Sequence, residues 1–152
     1  MKTILIAAAL VCTTVFAAPI REIVPIQLGA KAFRDGDAIQ IEEVRSTSPD
    51  LGQGDTITVK GNYRLGSKSK ASLQLLVTQT EGDGSEKIEA MQTFPATHGF
   101  EPFEVTITVK HRGYLHLTFY DTESGQPFGG TYFGTEKQMN QAAGVSVSHY
   151  LE

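Results

Sequence analysis

Thr56-Ile57-Thr58-Val59-Lys60-Gly61-Asn62-Tyr63-Arg64-Leu65 decides the fold class. Ile57, Val59, Gly61, Tyr63 and Leu65 alternate with Thr56, Thr58, Lys60, Asn62 and Arg64. A period of two residues means a strand with one buried face and one wet face. On its N-terminal side, Gly52-Gln53-Gly54-Asp55 reads as a turn, and residues 38–45, with Ile39 and Ile41, as an earlier strand. On its C-terminal side, Gly66-Ser67-Lys68-Ser69-Lys70 is short enough for a hairpin. It leads into residues 71–80, with Ala71, Leu73, Leu75 and Val77 on one side.

Further along, the glycines and Asp83 of residues 81–85 suit a tight turn. Residues 86–94 read as a strand with a bulge near Met91. Thr97-His98-Gly99 reads as a turn, and Phe103, Val105, Ile107 and Val109 alternate after it. His111-Arg112-Gly113 turns the chain again. Leu115, Leu117 and Phe119 then oppose Tyr114, His116, Thr118 and Tyr120, and residues 128–134 make a last short strand. No helical crossover separates these segments, so the sheet is antiparallel. The fold expected is all-β: a single antiparallel two-sheet sandwich, immunoglobulin-like, of about seven strands, with a small barrel as the alternative closure. The Cys…Trp…Cys hallmark is missing, so that likeness is one of architecture. Ile57, Val59, Leu73, Leu75, Val105, Ile107, Leu117 and Phe119 are the expected core, with Thr58 and Lys60 exposed.

The ends carry different signals. Met1-Lys2-Thr3, the apolar run from Ile4 to Val11, and Val15-Phe16-Ala17 have the layout of a secretory leader, residues 1–17, cut before Ala18. That run is too short to cross a membrane, which takes about 20 apolar residues. The expected location is the periplasm or the outside of the cell. Cys12 is the single cysteine of the 152 residues, so loss of the leader leaves none for disulfides, thiol catalysis or thiolate metal sites. Residues 18–35 form an N-terminal extension or an edge strand blunted by Pro25. Residues 36–134 hold the sandwich, and residues 135–152 a short helix and tail. Thr135 and Gln138 fit a capping box, and Gly144 a helix stop. Val145, Val147, His149 and Leu151 alternate, which predicts an added strand or a loose end.

Net charge is −4 from 13 basic and 17 acidic side chains, with no basic run. Nucleic-acid binding is therefore not expected, because phosphate contacts need clustered Lys and Arg. His98, His111, His116 and His149 are not spaced as a chelating set, and no metal or cofactor is expected. Asp35-Gly36-Asp37 resembles the start of a calcium loop without the later ligands, and reads better as turn chemistry. No Gly-x-Ser-x-Gly elbow, His-Glu-x-x-His helix or phosphate-binding glycine loop is present, and no catalytic residue is assigned. Tyr114, His116 and Tyr120 share one parity of their strand. With Phe128, Tyr132 and Phe133 they form the candidate binding patch, or else they are tucked under a loop or the tail. Flat sugar-binding platforms often use Trp, and the chain has none.

Asp37-Ala38-Ile39-Gln40-Ile41, residues 54–65 and Gly129-Gly130-Thr131-Tyr132-Phe133-Gly134 together resemble small exported bacterial β-sandwich proteins of no assigned activity. That resemblance implies a fold and no function. Three readings follow. One is an exported non-enzymatic β-sandwich module with a binding or envelope-accessory role toward an unidentified protein or envelope partner. The second is a small exported hydrolase or metal-dependent enzyme using His98, His111 or His116. The third is an assembly subunit that pairs with its copies through the C-terminal tail.

Overall fold

A computed structural model describes residues 19–151. The leader expected at residues 1–17 lies outside them. The strands are β1 (Glu22–Ile23), β2 (Gln27–Ala32), β3 (Ala38–Ser46), β4 (Thr56–Gln79), β5 (Thr93–Thr108), β6 (Gly113–Tyr120) and β7 (Pro127–Gly134), and α1 is Glu136–Gln141. All pair antiparallel in a seven-stranded sheet of order β1-β3-β4-β6-β7-β2, with β5 on the other edge of β4. The sheet is continuous and curls into a half-barrel around one main core.

The curl comes from β4. Its 24 residues at about 3.3 Å each exceed the width of such a domain, so the strand has to bend. Residues before the bend pair with β3, and residues after it pair with β6. β5 follows β4 around the bend, but its register shifts between Leu65↔Gly99 and Lys70↔Thr97. The hairpin expected at residues 66–70 is therefore a bend within one strand. The turn-forming residues are there, yet the chain continues forward. Asp37 fixes this geometry from the β2–β3 turn. Its Oδ1 accepts the amides of Gly66 and Ser67, both at 2.9 Å, and its Oδ2 accepts the Ser67 hydroxyl at 2.6 Å. A Cβ on Gly66 would meet the carbonyl oxygen of Gly36 at 3.0 Å, a tight contact that glycine avoids, so the turn packs closely against the bend.

The alternation of residues 56–65 holds: Ile57, Val59, Tyr63 and Leu65 are fully buried. Leu73, Leu75, Val105, Ile107, Leu117 and Phe119 complete the expected core. Lys60 is exposed as expected. Thr58 is not: it is buried on the outer face, bonded to Thr106 at 2.9 Å and to Arg21 Nη1 at 2.6 Å. An arginine stem covers what the alternation alone leaves wet.

Two other expectations change. Residues 86–89 are irregular, Ala90–Gln92 is a 3-10 turn, and strand pairing starts at Thr93. Buried Gln92 directs this, donating to the Leu75 carbonyl at 3.1 Å while its Oε1 accepts the Glu89 amide at 3.0 Å. Thr97-His98-Gly99 lies inside β5, at its bend. The N-terminal extension crosses between the two margins of the curl. β1 pairs with β3, β2 pairs with β7, and Val24 between them is buried and bonded to the Val44 carbonyl at 2.8 Å.

Denaturant titration should rank the substitutions by these contacts. Phe119→Ala should cost about 3–5 kcal/mol through lost burial and the cavity. Asp37→Ala should cost roughly 1–3 kcal/mol, because three charge-assisted hydrogen bonds are lost while the freed donors of exposed Gly66 and Ser67 turn to water. Asp37→Asn, which keeps one acceptor oxygen, should cost less. Equal stability of wild type and Asp37→Ala would show that the bend needs no clamp.

Candidate functional site

The six aromatic and histidine residues of the expected patch divide between two faces. Phe133, opposite Leu115, points into the main core. Phe128 joins it through the register shift between Phe119 and Tyr120, which turns its ring onto Phe119. Tyr114, His116, Tyr120 and Tyr132 occupy the outer face of β6 and β7. Tyr132 and Tyr114 pack there with Met139, Ala142, Val145 and Val147 of the C-terminal segment.

That segment covers the outer face as a strap. α1 begins at the capping box read from the sequence, with Gln138 N donating to Thr135 Oγ1 at 3.3 Å and Thr135 N donating to Gln138 Oε1 at 2.9 Å. The alternating tail is not a strand. It runs irregularly into a 3-10 turn, Ser148–Tyr150, that buries the Tyr150 ring against β7 and β6. Tyr150 takes precedence over the alternating valines because its seat is already shaped. A Cβ on Gly130 would meet Leu117 O and Thr118 Oγ1 at 2.7 Å and Tyr150 Cε2 at 3.1 Å.

Beneath the strap lies a polar chain. His116 Nδ1 and Thr118 Oγ1 are 2.7 Å apart, and Thr118 Oγ1 and Tyr150 Oη 3.0 Å. Thr78 Oγ1 and Tyr132 Oη are 2.7 Å apart, and the His116 and Tyr132 rings lie 5.1 Å centre to centre. Burial pushes the His116 pKa down to about 4, with nearby His149 adding to the effect. Burial also pushes the Tyr120 and Tyr150 phenols up. All three groups are therefore neutral near pH 7, and the chain is a satisfied structural network. Sequence reasoning missed Thr118, Tyr150 and Gly130, whose roles depend on a tail folding back.

An open cleft of about 550 Å³ lies at the end of the sheet where β6 begins. Val77, Val109 and Leu115 form its apolar base, and Tyr114, Arg112 and Gln141 stand on its rim. Its wall is the loop before β4. Leu51 there has φ of +50°, the one positive φ at a non-glycine among the described residues, and its side chain is buried. Asp55 organises this loop: Oδ1 accepts Thr47 Oγ1 at 3.0 Å, and Oδ2 accepts Ser48 Oγ at 2.7 Å and Gly52 N at 2.8 Å. Gln138 Nε2 reaches across from α1 to the carbonyls of Asp50 and Leu51, both at 3.1 Å. The capping box signalled Gln138, but no local pattern signals its second role.

The histidines do not converge. His98 is exposed at the bend of β5, His111 lies in the turn after β5, and His116 is buried within β6. Among the described residues, no three His, Cys, Asp or Glu side chains group as a metal site. No described helix is long and apolar enough to cross a membrane. Compared with protein families, curated proteins and solved structures, the chain matches none.

Two measurements test the strap. Tyr150→Ala should empty the seat beside Gly130 and loosen the strap, so limited proteolysis should cut after Thr135 at least about tenfold faster, as local opening predicts. His116 sets an acid limb. Its unfolded pKa is near 6.5, so between pH 6.5 and 4 the unfolded chain takes up a proton that the native state refuses. Its contribution is fully present above pH 6.5, and stability falls by roughly 2–4 kcal/mol as pH drops to about 4. His116→Gln should flatten the stability profile across that window. An unchanged slope would remove His116 as its cause.

Proposed function

We propose that the chain is an exported, non-enzymatic binding module, an immunoglobulin-like sandwich in its finer architecture, and that the cleft beside Leu51 is its ligand site. The strained Leu51 backbone carries this reading. A non-glycine residue in the left-handed region costs about 1–3 kcal/mol and persists only where its surroundings hold it. Here Asp55 and Gln138 hold it, in the wall of a cleft whose size suits a small ligand. The leader-like start at residues 1–17 supports export.

The lining points to a neutral, hydroxyl-rich ligand such as a short saccharide. Glu81 and Arg112 lie 3.7 Å apart and offset each other, the Asp55 oxygens are already occupied, and the remaining carboxylate, Asp50, disfavours an anionic ligand. Gln141, Thr80 and His111 supply neutral donors and acceptors, and the Tyr114 ring a flat apolar surface.

Saturation-transfer NMR with a panel of neutral mono- and oligosaccharides tests this. Binding should be saturable, and Gln141→Ala, on an exposed side chain, should weaken it about tenfold, the worth of one or two hydrogen bonds. Absence of binding across the panel, or binding unaffected by Gln141→Ala, would overturn the assignment.

A further inference from the structure

A second cavity, of about 320 Å³, lies at the opposite end of β6 from the cleft, where β6 runs out at Tyr120. Three distant parts of the chain meet there: Arg34 from the β2–β3 turn, Lys68 from the bend of β4, and His149 from the strap. Phe128 is the floor. One face of its ring is stacked on Phe119, with centroids 5.7 Å apart and planes at 14°. The guanidinium carbon of Arg34 lies 5.4 Å and Nζ of Lys68 5.2 Å from the same ring centre. The two cations thus lie against the same ring, which Phe119 holds in place.

The charges here do not balance. Asp121 is the single carboxylate in the lining. Its Oδ2 accepts Lys68 Nζ at 2.5 Å, and its Oδ1 accepts the amides of Glu123 and Ser124 at 2.9 and 2.8 Å. Lys68 and these amides hold the Asp121 carboxyl well below the usual carboxylate range, so it stays charged and committed. Arg34 has no acidic partner among the described residues. An unpaired guanidinium beside an ammonium, in a chain of net charge −4, is a local excess of positive charge. Its planar fork of donors suits two oxygens of one anionic group.

We propose that Arg34, Lys68 and His149 form a binding site for an oxyanion, a carboxylate, sulfate or phosphate group borne by a small ligand. Arg34 makes the paired contact, Lys68 adds charge while retaining Asp121, and the His149 imidazole donates from the strap. A bound anion therefore ties the strap to the β2–β3 turn, the same turn whose Asp37 clamps the bend. This site is separate from the cleft and does not depend on the saccharide reading.

Amide-detected NMR titration of the full mature chain, at constant ionic strength against chloride, tests it with sodium sulfate, phosphate, acetate and glucuronate. Saturable shifts are expected at Arg34, Lys68, Phe128 and His149. Tighter binding of sulfate and phosphate marks an ester as the source, and tighter binding of acetate and glucuronate a carboxylate. Arg34→Gln should weaken the preferred anion at least about tenfold. His149→Asn should weaken it less, and Lys137→Gln, on exposed α1, not at all. The bound anion should also slow proteolysis of the strap in wild type but not in His149→Asn. No saturable shift at these residues with any of the four anions, or equal affinity in Arg34→Gln, would overturn the site.

Discussion

Both oxygens of the Asp37 carboxylate are used inside the bend of β4, on two amides and a hydroxyl. A strand of this length leaves exposed backbone groups at any break in its pairing, and the break between Leu65 and Lys70 is one. Asp37 accepts the donors that β5 does not meet there. Because they are satisfied, β4 can change direction without ending. It then serves β3 before the bend and β6 after it, and the inner face of one strand lines both halves of the core. The curl of the sheet, the seat of Phe119 and the meeting of Lys68 with Phe128 all depend on this.

A curled sheet has margins, and they are treated differently. At one side the N-terminal segment passes from β3 to β7 through Val24, so a short piece of chain closes the gap with its own hydrogen bonds. At the other, β5 pairs only with β4 and carries Pro95 and Pro102. Proline is tolerated in a strand where its missing N–H faces away from a partner, and it blunts an edge against further pairing. The outer face of β6 and β7 is covered by the strap. The molecule spends its tail on a face and its prolines on an edge.

Local patterning made much of this legible. The period-two runs identified the buried face of β4, β5 and β6 down to individual residues, because alternation follows from strand geometry itself. Thr135 and Gln138 announced α1 because a capping box is a contact between near neighbours. The failures share one cause. Gly66, Ser67 and Ser69 have the chemistry of a turn, and whether they reverse the chain or only bend it is decided by Asp37, a residue nearly thirty positions away. Residues 86–92 alternate weakly, and Gln92 leaves the pattern for a carbonyl on β4. The alternating tail lost to the seat at Gly130, which no property of the tail encodes. The candidate patch split for the same kind of reason, since a one-residue shift in register sends Phe128 to the opposite face.

His116 shows how these layers constrain one another. Its side chain is on the outer face of β6, where a lone histidine would be hydrated and would titrate near its ordinary value. Here it is buried beside the Tyr132 ring, and Thr118, itself bonded to Tyr150, returns one hydroxyl contact. Burying a neutral imidazole with a partner costs little, and burying the imidazolium costs much more. Neutrality of His116 therefore follows from the burial of this face, and His149 on the strap adds to it. The strap also carries His149 into the cavity beside Arg34 and Lys68, and α1, which precedes the strap, carries Gln138 to the wall of the cleft. The C-terminal segment thus reaches both ends of β6 from one anchored position. Tyr150 is the most deeply buried side chain of that segment, so its docking fixes where the neighbouring His149 is presented, while Gln138 is held separately by its own bonds to the loop before β4.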